Sequence, residues 1–142
     1  MSTTSVSTSL PYGITSSHVL AALHNHDVMI RTLCPAVISY TFESGDPRTR
    51  ATYAVTDRKP QTGVTTYRLT LTNLADGVNS LVNARPKMGI LTIAGKWRVR
   101  NGKLVEDVEI DGNFMMMKMA KGNVEKTHPV QHSRLLQLAT RA

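Results

Sequence analysis

Hydrophobic and polar residues follow two different periods along this chain, and the change of period divides it. From Val37 to Ile110 apolar residues recur at every second position, as in strands with one covered face. The alternation predicts strands over Val37–Glu43, Thr49–Thr56, Thr65–Asn73, Val78–Ala84, Leu91–Arg100 and Leu104–Asp111. Turn chemistry separates them at Gly45-Asp46-Pro47, Lys59-Pro60, Asp76-Gly77, Arg85-Pro86 and Asn101-Gly102. Ahead of this block, Thr3 to Ser9 holds β-formers and small hydroxyls, which predicts an edge strand ended by Pro11 and Gly13. Thr15, Ser16 and Ser17 then offer an N-cap to a run with Val19, Leu20 and Leu23. His24 to Asp27 interrupts that run. Asp27 can cap a second short helix carrying Val28, Met29, Ile30 and Leu33, stopped by Pro35. After Gly112 the spacing is helical to the end, with Asn113 as N-cap and Pro129 inside, where a kink is expected. The order is strand, broken helix, six strands, long helix: one α+β domain over residues 1–142.

Two of the turns predict register and so decide which side chains face inward. Asn101-Gly102 tolerates the positive φ of a type I′ hairpin, which sets Val99 opposite Leu104 and Trp97 opposite Glu106. One face then carries Ile93, Gly95, Trp97, Val99, Leu104, Glu106, Val108 and Ile110. The other carries Lys96, Arg98, Arg100, Lys103, Asp107, Glu109 and Asp111, with Lys96 across from Asp107 and Arg98 diagonal to it. Pairing Ala75 with Val78 at the Asp76-Gly77 turn sets Leu71 opposite Val82 and Leu69 opposite Ala84, on the face that Tyr67 shares. Tyr53 falls on the inward set of its own strand with Ala51 and Val55. Small residues among these (Gly95, Ala84, Ala51) leave room on a concave face, so the expectation is a cavity under the last helix. Phe114, Met117, Lys121, Val124, His128, Leu135 and Leu138 lie near one side of that helix and would close it.

Composition narrows the classes of function. With 142 residues, 41% hydrophobic and 19% charged, the chain can bury a core without metals or disulfides. Its single cysteine, Cys34, fits a reducing compartment, and a cytoplasmic address is the default. No run approaches the ~20 apolar residues that span a bilayer, so stable membrane insertion is not expected. The net charge of +7 is spread along the chain without interleaved aromatics, which argues against nucleic acid.

The element order, together with Leu20–Pro35 (LAALHNHDVMIRTLCP), Gly95–Val99 (GKWRV), Leu104–Ile110 (LVEDVEI) and a final helix holding Glu125, His128 and Leu135, resembles the START-like, or SRPBCC, superfamily. More closely, it resembles a family of small uncharacterised fungal proteins of that fold. The resemblance implies a helix-grip architecture, a curved antiparallel sheet around a long C-terminal helix, with a deep apolar pocket between them. It implies no single reaction, because the superfamily includes sterol and lipid carriers, hormone receptors and polyketide aromatases/cyclases. A cone-shaped nuclear-transport-factor-like barrel is the rival, but that fold places its helices early and ends in strands.

Glu106 is the leading candidate for chemistry. A carboxyl group on an apolar face beside an indole is desolvated, which should raise its pKa and suit it to general acid/base work. An inward Lys or Arg partner, or a bulge turning it outward, is the structural alternative. Tyr67 is the second catalytic candidate and Tyr53 a further donor, either able to steady charge on a substrate oxygen. Trp97, Tyr53, Leu69, Leu71, Val108, Met117, Phe114 and His128 form the expected ligand lining, although aromatic and Met side chains equally serve as core filler. His24 with His26, and His128 with His132, lack the arrangement of a metal site and read as solvated or capping histidines. Neither a nucleophile elbow nor a phosphate loop is present, and no cofactor is expected. The expected function is that of a cofactor-independent cyclase or isomerase of secondary metabolism, acting on a polyketide- or terpenoid-like molecule. The alternative is a non-catalytic carrier or sensor of a small apolar metabolite. The unpaired edge of the first strand leaves room for a homodimer.

Overall fold

Alternating apolar residues give a strand one face to bury, and here seven strands pair side by side in a single antiparallel sheet whose apolar face the helices cover. The computed structural model describes residues 1–60, 63–85 and 89–139. In chain order the elements are β1 (Ser2–Ser9), α1 (Ser16–His24), α2 (His26–Leu33), β2 (Val37–Gly45), β3 (Arg50–Lys59), β4 (Gly63–Leu74), β5 (Gly77–Ala84), β6 (Leu91–Arg100), β7 (Lys103–Asp111) and α3 (Phe114–Ala139). The strands lie in the order β1-β7-β6-β5-β4-β3-β2, so β1 returns to pair with the last strand and the meander fills the space between. The sheet is curved and α3 is long, which is the helix-grip fold that the sequence predicts. Pro86 of the expected Arg85-Pro86 turn lies outside the described residues.

The β6–β7 hairpin has the predicted register, with Trp97 paired to Glu106. Its turn residues Asn101 and Gly102 have φ of 53° and 71°, as a type I′ turn demands. The β4–β5 register differs from expectation by two residues. Leu74 pairs with Gly77, Leu71 with Ser80 and Leu69 with Val82. The inward set is unchanged, because a shift of two preserves the face. Gly77 pairs with Leu74 and Arg98 inside the sheet, and glycine is required there because a Cβ would lie 1.7 Å from the Trp97 carbonyl oxygen. Arg98 also departs from its expected diagonal. It folds toward the β4–β5 turn, 3.5 Å from Asp76 and 2.8 Å from the Asn79 side-chain oxygen.

The helices are capped by side-chain oxygens. Thr15 accepts from the His18 N–H at the start of α1, and Asn25, not Asp27, accepts from the Val28 N–H at the start of α2. Asp27 instead sits in the first turn, bonded to Arg31 and Tyr40. In α3, Asn113 accepts from the Met116 N–H as expected. The helix runs on through Pro129, whose position is exposed, so water can reach the carbonyl that loses its N–H partner.

Two apolar clusters hold α3 on the sheet. Val108, Ile110 and Val124 form one, with Leu91, Ile93 and Met117 against it. Leu135, Leu136 and Ala139 join Leu23, Met29, Ile30, Leu69, Leu71 and Trp97 in the other. The stretch of α3 between them carries two histidines.

Candidate functional site

Strand alternation turns Glu106 inward on β7, and the hairpin register places Trp97 across from it on β6. Helical spacing puts His128 and His132 one turn apart on α3, both facing this pair. The four meet. His128 Nδ1 lies 2.7 Å from Glu106 Oε2, and His132 Nε2 lies 3.0 Å from Oε1. The far nitrogen of His132, Nδ1, is 2.9 Å from the Thr8 hydroxyl on β1. The Trp97 ring lies against both imidazoles, with centroids 4.8 Å from His132 and 6.4 Å from His128.

The protonation pattern follows from chemistry. Burial by itself pushes the Glu106 carboxyl up, but hydrogen bonds from His128 and His132 and their charge outweigh it, so its pKa is lowered. The expectation of a raised pKa is thereby corrected: the acid is desolvated as predicted, yet it has partners, and they are histidines rather than Lys or Arg. A carboxylate only accepts, so both facing nitrogens carry protons. In its neutral form His128 is therefore the Nδ1–H tautomer, with its basic lone pair on Nε2. The His128 side chain keeps 11% of its exposure, while Glu106 and His132 are closed off at 1% and 0%. His128 is the member of the cluster that reaches outward.

The reading of His128 and His132 as solvated or capping residues is also corrected, since both are buried. An i, i+4 histidine pair facing a single inward acid was the available signal, but only the packing of α3 on β7 pairs them. Nor does Gly95 leave a void. The space a Cβ would take lies 2.7 Å from Ser80 Oγ, 3.2 Å from Glu106 Oε2 and 3.3 Å from Trp97 Nε1. That indole N–H is buried without a hydrogen-bond partner among the described residues.

The other predicted residues scatter. Leu69 and Leu71 are fully buried in the larger cluster and Val108 in the smaller one, with Met117 half-buried beside it. Phe114 is exposed, because the first turn of α3 overhangs the sheet and it is Met116 that packs back over Gly112. Tyr67 does not meet Glu106. Its hydroxyl donates to buried Asp57 at 3.2 Å, next to Cys34. The cross-strand row of Glu106 runs through Trp97, Val78 and Asn73. Tyr67 is six residues from Asn73 on β4, roughly 20 Å along the strand.

At the far end of that row a cleft of about 610 Å³ opens between the α1–α2 junction and the β2–β3 turn. His26, Asp27, Tyr40, Arg48, Tyr53 and Asn73 line it. Asn73 donates its amide to the Arg48 carbonyl at 3.1 Å, which turns Oδ1 toward His26 Nε2 at 3.0 Å. His26 therefore donates from Nε2 and accepts the Tyr53 hydroxyl at Nδ1, 2.8 Å away. Burial pulls the His26 pKa down against the opposing Asn73 bond. His24 is held by the Leu74 and Gly77 carbonyls at 2.8 and 3.1 Å. Among the described residues no group of three or more His, Cys, Asp or Glu side chains is placed to hold a metal ion.

Fold and site together define a helix-grip protein with a buried carboxylate–bis-imidazole cluster. The chain belongs to the family described as Domain of unknown function (DUF7053), whose profile matches residues 1–141. No curated protein matches the sequence. Among solved structures it is similar to Ara h 8.0201, with a TM-score of 0.68 and 11% identity over 99% of each chain. It is also similar to the di-domain aromatase/cyclase StfQ from the steffimycin biosynthetic pathway, with a TM-score of 0.64 and 14% identity. That match covers 96% of this chain and 49% of StfQ. A third similar structure is the Zhui aromatase/cyclase from Streptomyces sp. R1128, with a TM-score of 0.59, 11% identity, and 99% and 93% of the two chains covered. At these identities the likeness shows the fold.

Proposed function

We propose that this protein binds a small apolar molecule and rearranges it without a cofactor, as a cyclase or isomerase of polyketide- or terpenoid-like compounds. The observation that carries this reading is the 2.7 Å bond from His128 Nδ1 to Glu106. Glu106 orients the imidazole through Nδ1, and Nε2 is the atom that takes or returns a proton. His132, bonded to the same carboxylate and to Thr8, holds Glu106 in place. A lowered pKa suits Glu106 to this positioning role rather than to donating a proton itself. The fold shared with StfQ and Zhui supports the chemistry class. An unpaired cysteine supports a reducing, cytoplasmic setting.

The test begins with native mass spectrometry of protein purified from its own host, to capture a bound metabolite. That compound, or the host's apolar extract if none is bound, is then incubated with wild type, His128→Asn and Glu106→Gln. The reading expects an isomer or a dehydrated product from wild type and its loss in His128→Asn. Full conversion by His128→Asn would sink the proton-transfer role.

The second reading is a carrier or sensor. It is favoured by the position of the open cleft, whose lining includes neither Glu106 nor His128. In that case Glu106→Gln leaves affinity within a few fold, and no variant changes a product.

A further inference from the structure

Five of the large apolar side chains left in water lie at one end of this molecule. Met1, Ile90, Phe114, Met115 and Met119 are each between 55% and 77% exposed. Their positions converge. Met1 precedes Ser2, which pairs with Ile110 near the end of β7. The Ile90 carbonyl lies 3.3 Å from the Cβ position of Gly112, and Phe114 opens α3 two residues later. At 100° per residue, Phe114, Met115, Lys118, Met119 and Gly122 share one outward sector of α3, and all five are exposed. A Cβ on Gly122 would meet nothing within 4 Å, so among the described residues no element covers the helix there.

Charge at this end has one sign in excess. Phe114 to Val124 contains Lys118 and Lys121 and no acid. Exposed Arg85 leaves β5 beside Ile90, since Ala84 pairs with Leu91. Asp111 is 3.8 Å from the terminal amine, and Glu125, one turn beyond, is 3.9 Å from Lys121. A net charge of +7 per chain opposes a second copy as the occupant.

We propose that this end docks on an anionic bilayer surface, with Phe114, Met115 and Met119 entering the headgroup layer and Lys118 and Arg85 against lipid phosphates. Flexible methionines suit a fluid, irregular partner. The contact is peripheral, because no described helix is long and apolar enough to cross a membrane. It stands independently of proton transfer at His128.

The experiment is co-sedimentation of the full chain with vesicles of phosphatidylcholine alone and of phosphatidylcholine with about one-third phosphatidylserine. Wild type should partition at least about tenfold more strongly to the anionic vesicles, and high salt should reduce this. Phe114→Ser with Met119→Ser, and separately Lys118→Glu, should each reduce it about fivefold or more. Buried Trp97 fluorescence should stay unchanged, since the altered residues are exposed. Equal partition to both vesicle types, or undiminished binding by both variants, overturns the proposal. So does concentration-dependent dimerisation in light scattering that the Phe114/Met119 variant abolishes, which would assign the patch to self-association.

Discussion

Replacing Glu106 tests the buried cluster most directly, because the carboxylate is fully enclosed and both of its oxygens are used. Glu106→Leu keeps most of the volume but leaves the Nδ1–H of His128 and the Nε2–H of His132 facing a hydrocarbon. An orphaned buried donor costs about 1–3 kcal/mol, so the expected loss is about 3–5 kcal/mol. For a chain of this size that lowers the unfolding midpoint by roughly 10–15 °C. Glu106→Gln should be milder. His132 can move its proton to Nδ1, donate to Thr8, and accept from the new amide at Nε2, so two charge-assisted bonds become neutral ones at about 2 kcal/mol in total. Trp97 is the only tryptophan and touches both imidazoles, so its fluorescence in urea reports the unfolding of this region. The pH dependence has a definite sign. The folded pKa of Glu106 lies below the ordinary 4.5, so its contribution is complete above that value and is lost as pH falls through the lower folded pKa. The gap between wild type and Glu106→Gln should close in that acid window. A Glu106→Leu variant within about 1 kcal/mol of wild type would refute the reasoning, since burial and pairing could not then both be as described.

Three further outcomes are expected. Gly77→Ala should prevent folding or destabilise by several kcal/mol, because its Cβ would meet the Trp97 carbonyl at 1.7 Å; Gly95→Ala should be milder and partly rescued by Ser80→Ala, because its nearest obstacle is the movable Ser80 hydroxyl at 2.7 Å. Circular dichroism and urea titration of the three variants check this order. Burial pushes the Cys34 thiol up to about 12, so it should resist an aromatic disulfide reagent at pH 8 and react once the chain is unfolded in urea. The folded pKa of His26 lies below the ordinary 6.5, so its stabilisation is complete above 6.5 and is lost as pH falls through the lower folded value. The stability difference between wild type and His26→Gln, followed by thermal melts across that window, should narrow accordingly.

Local rules in the sequence carried most of the architecture. Period-two alternation placed six strands, and Asn101-Gly102 brought Trp97 opposite Glu106 because a two-residue I′ turn allows one register. Asp76-Gly77 misled by two residues. Glycine there serves a close approach to Trp97 in the neighbouring strand, which no local rule records. The element order and short motifs resembled the right fold, and Glu106 stood out as an acid on an apolar face. Its partners did not, because the rotation of α3 about its axis is decided by which residues bury best against a curved sheet. That rotation exposed Phe114, turned Met116 inward, and brought His128 and His132 onto one carboxylate. Pairing with the histidines reversed the expected direction of the Glu106 pKa shift. Alternation and turn type act over a few neighbouring residues, so the sequence determines them by itself. The charge state of a buried acid depends on groups more than twenty residues away, and only tertiary packing brings those groups within hydrogen-bond reach.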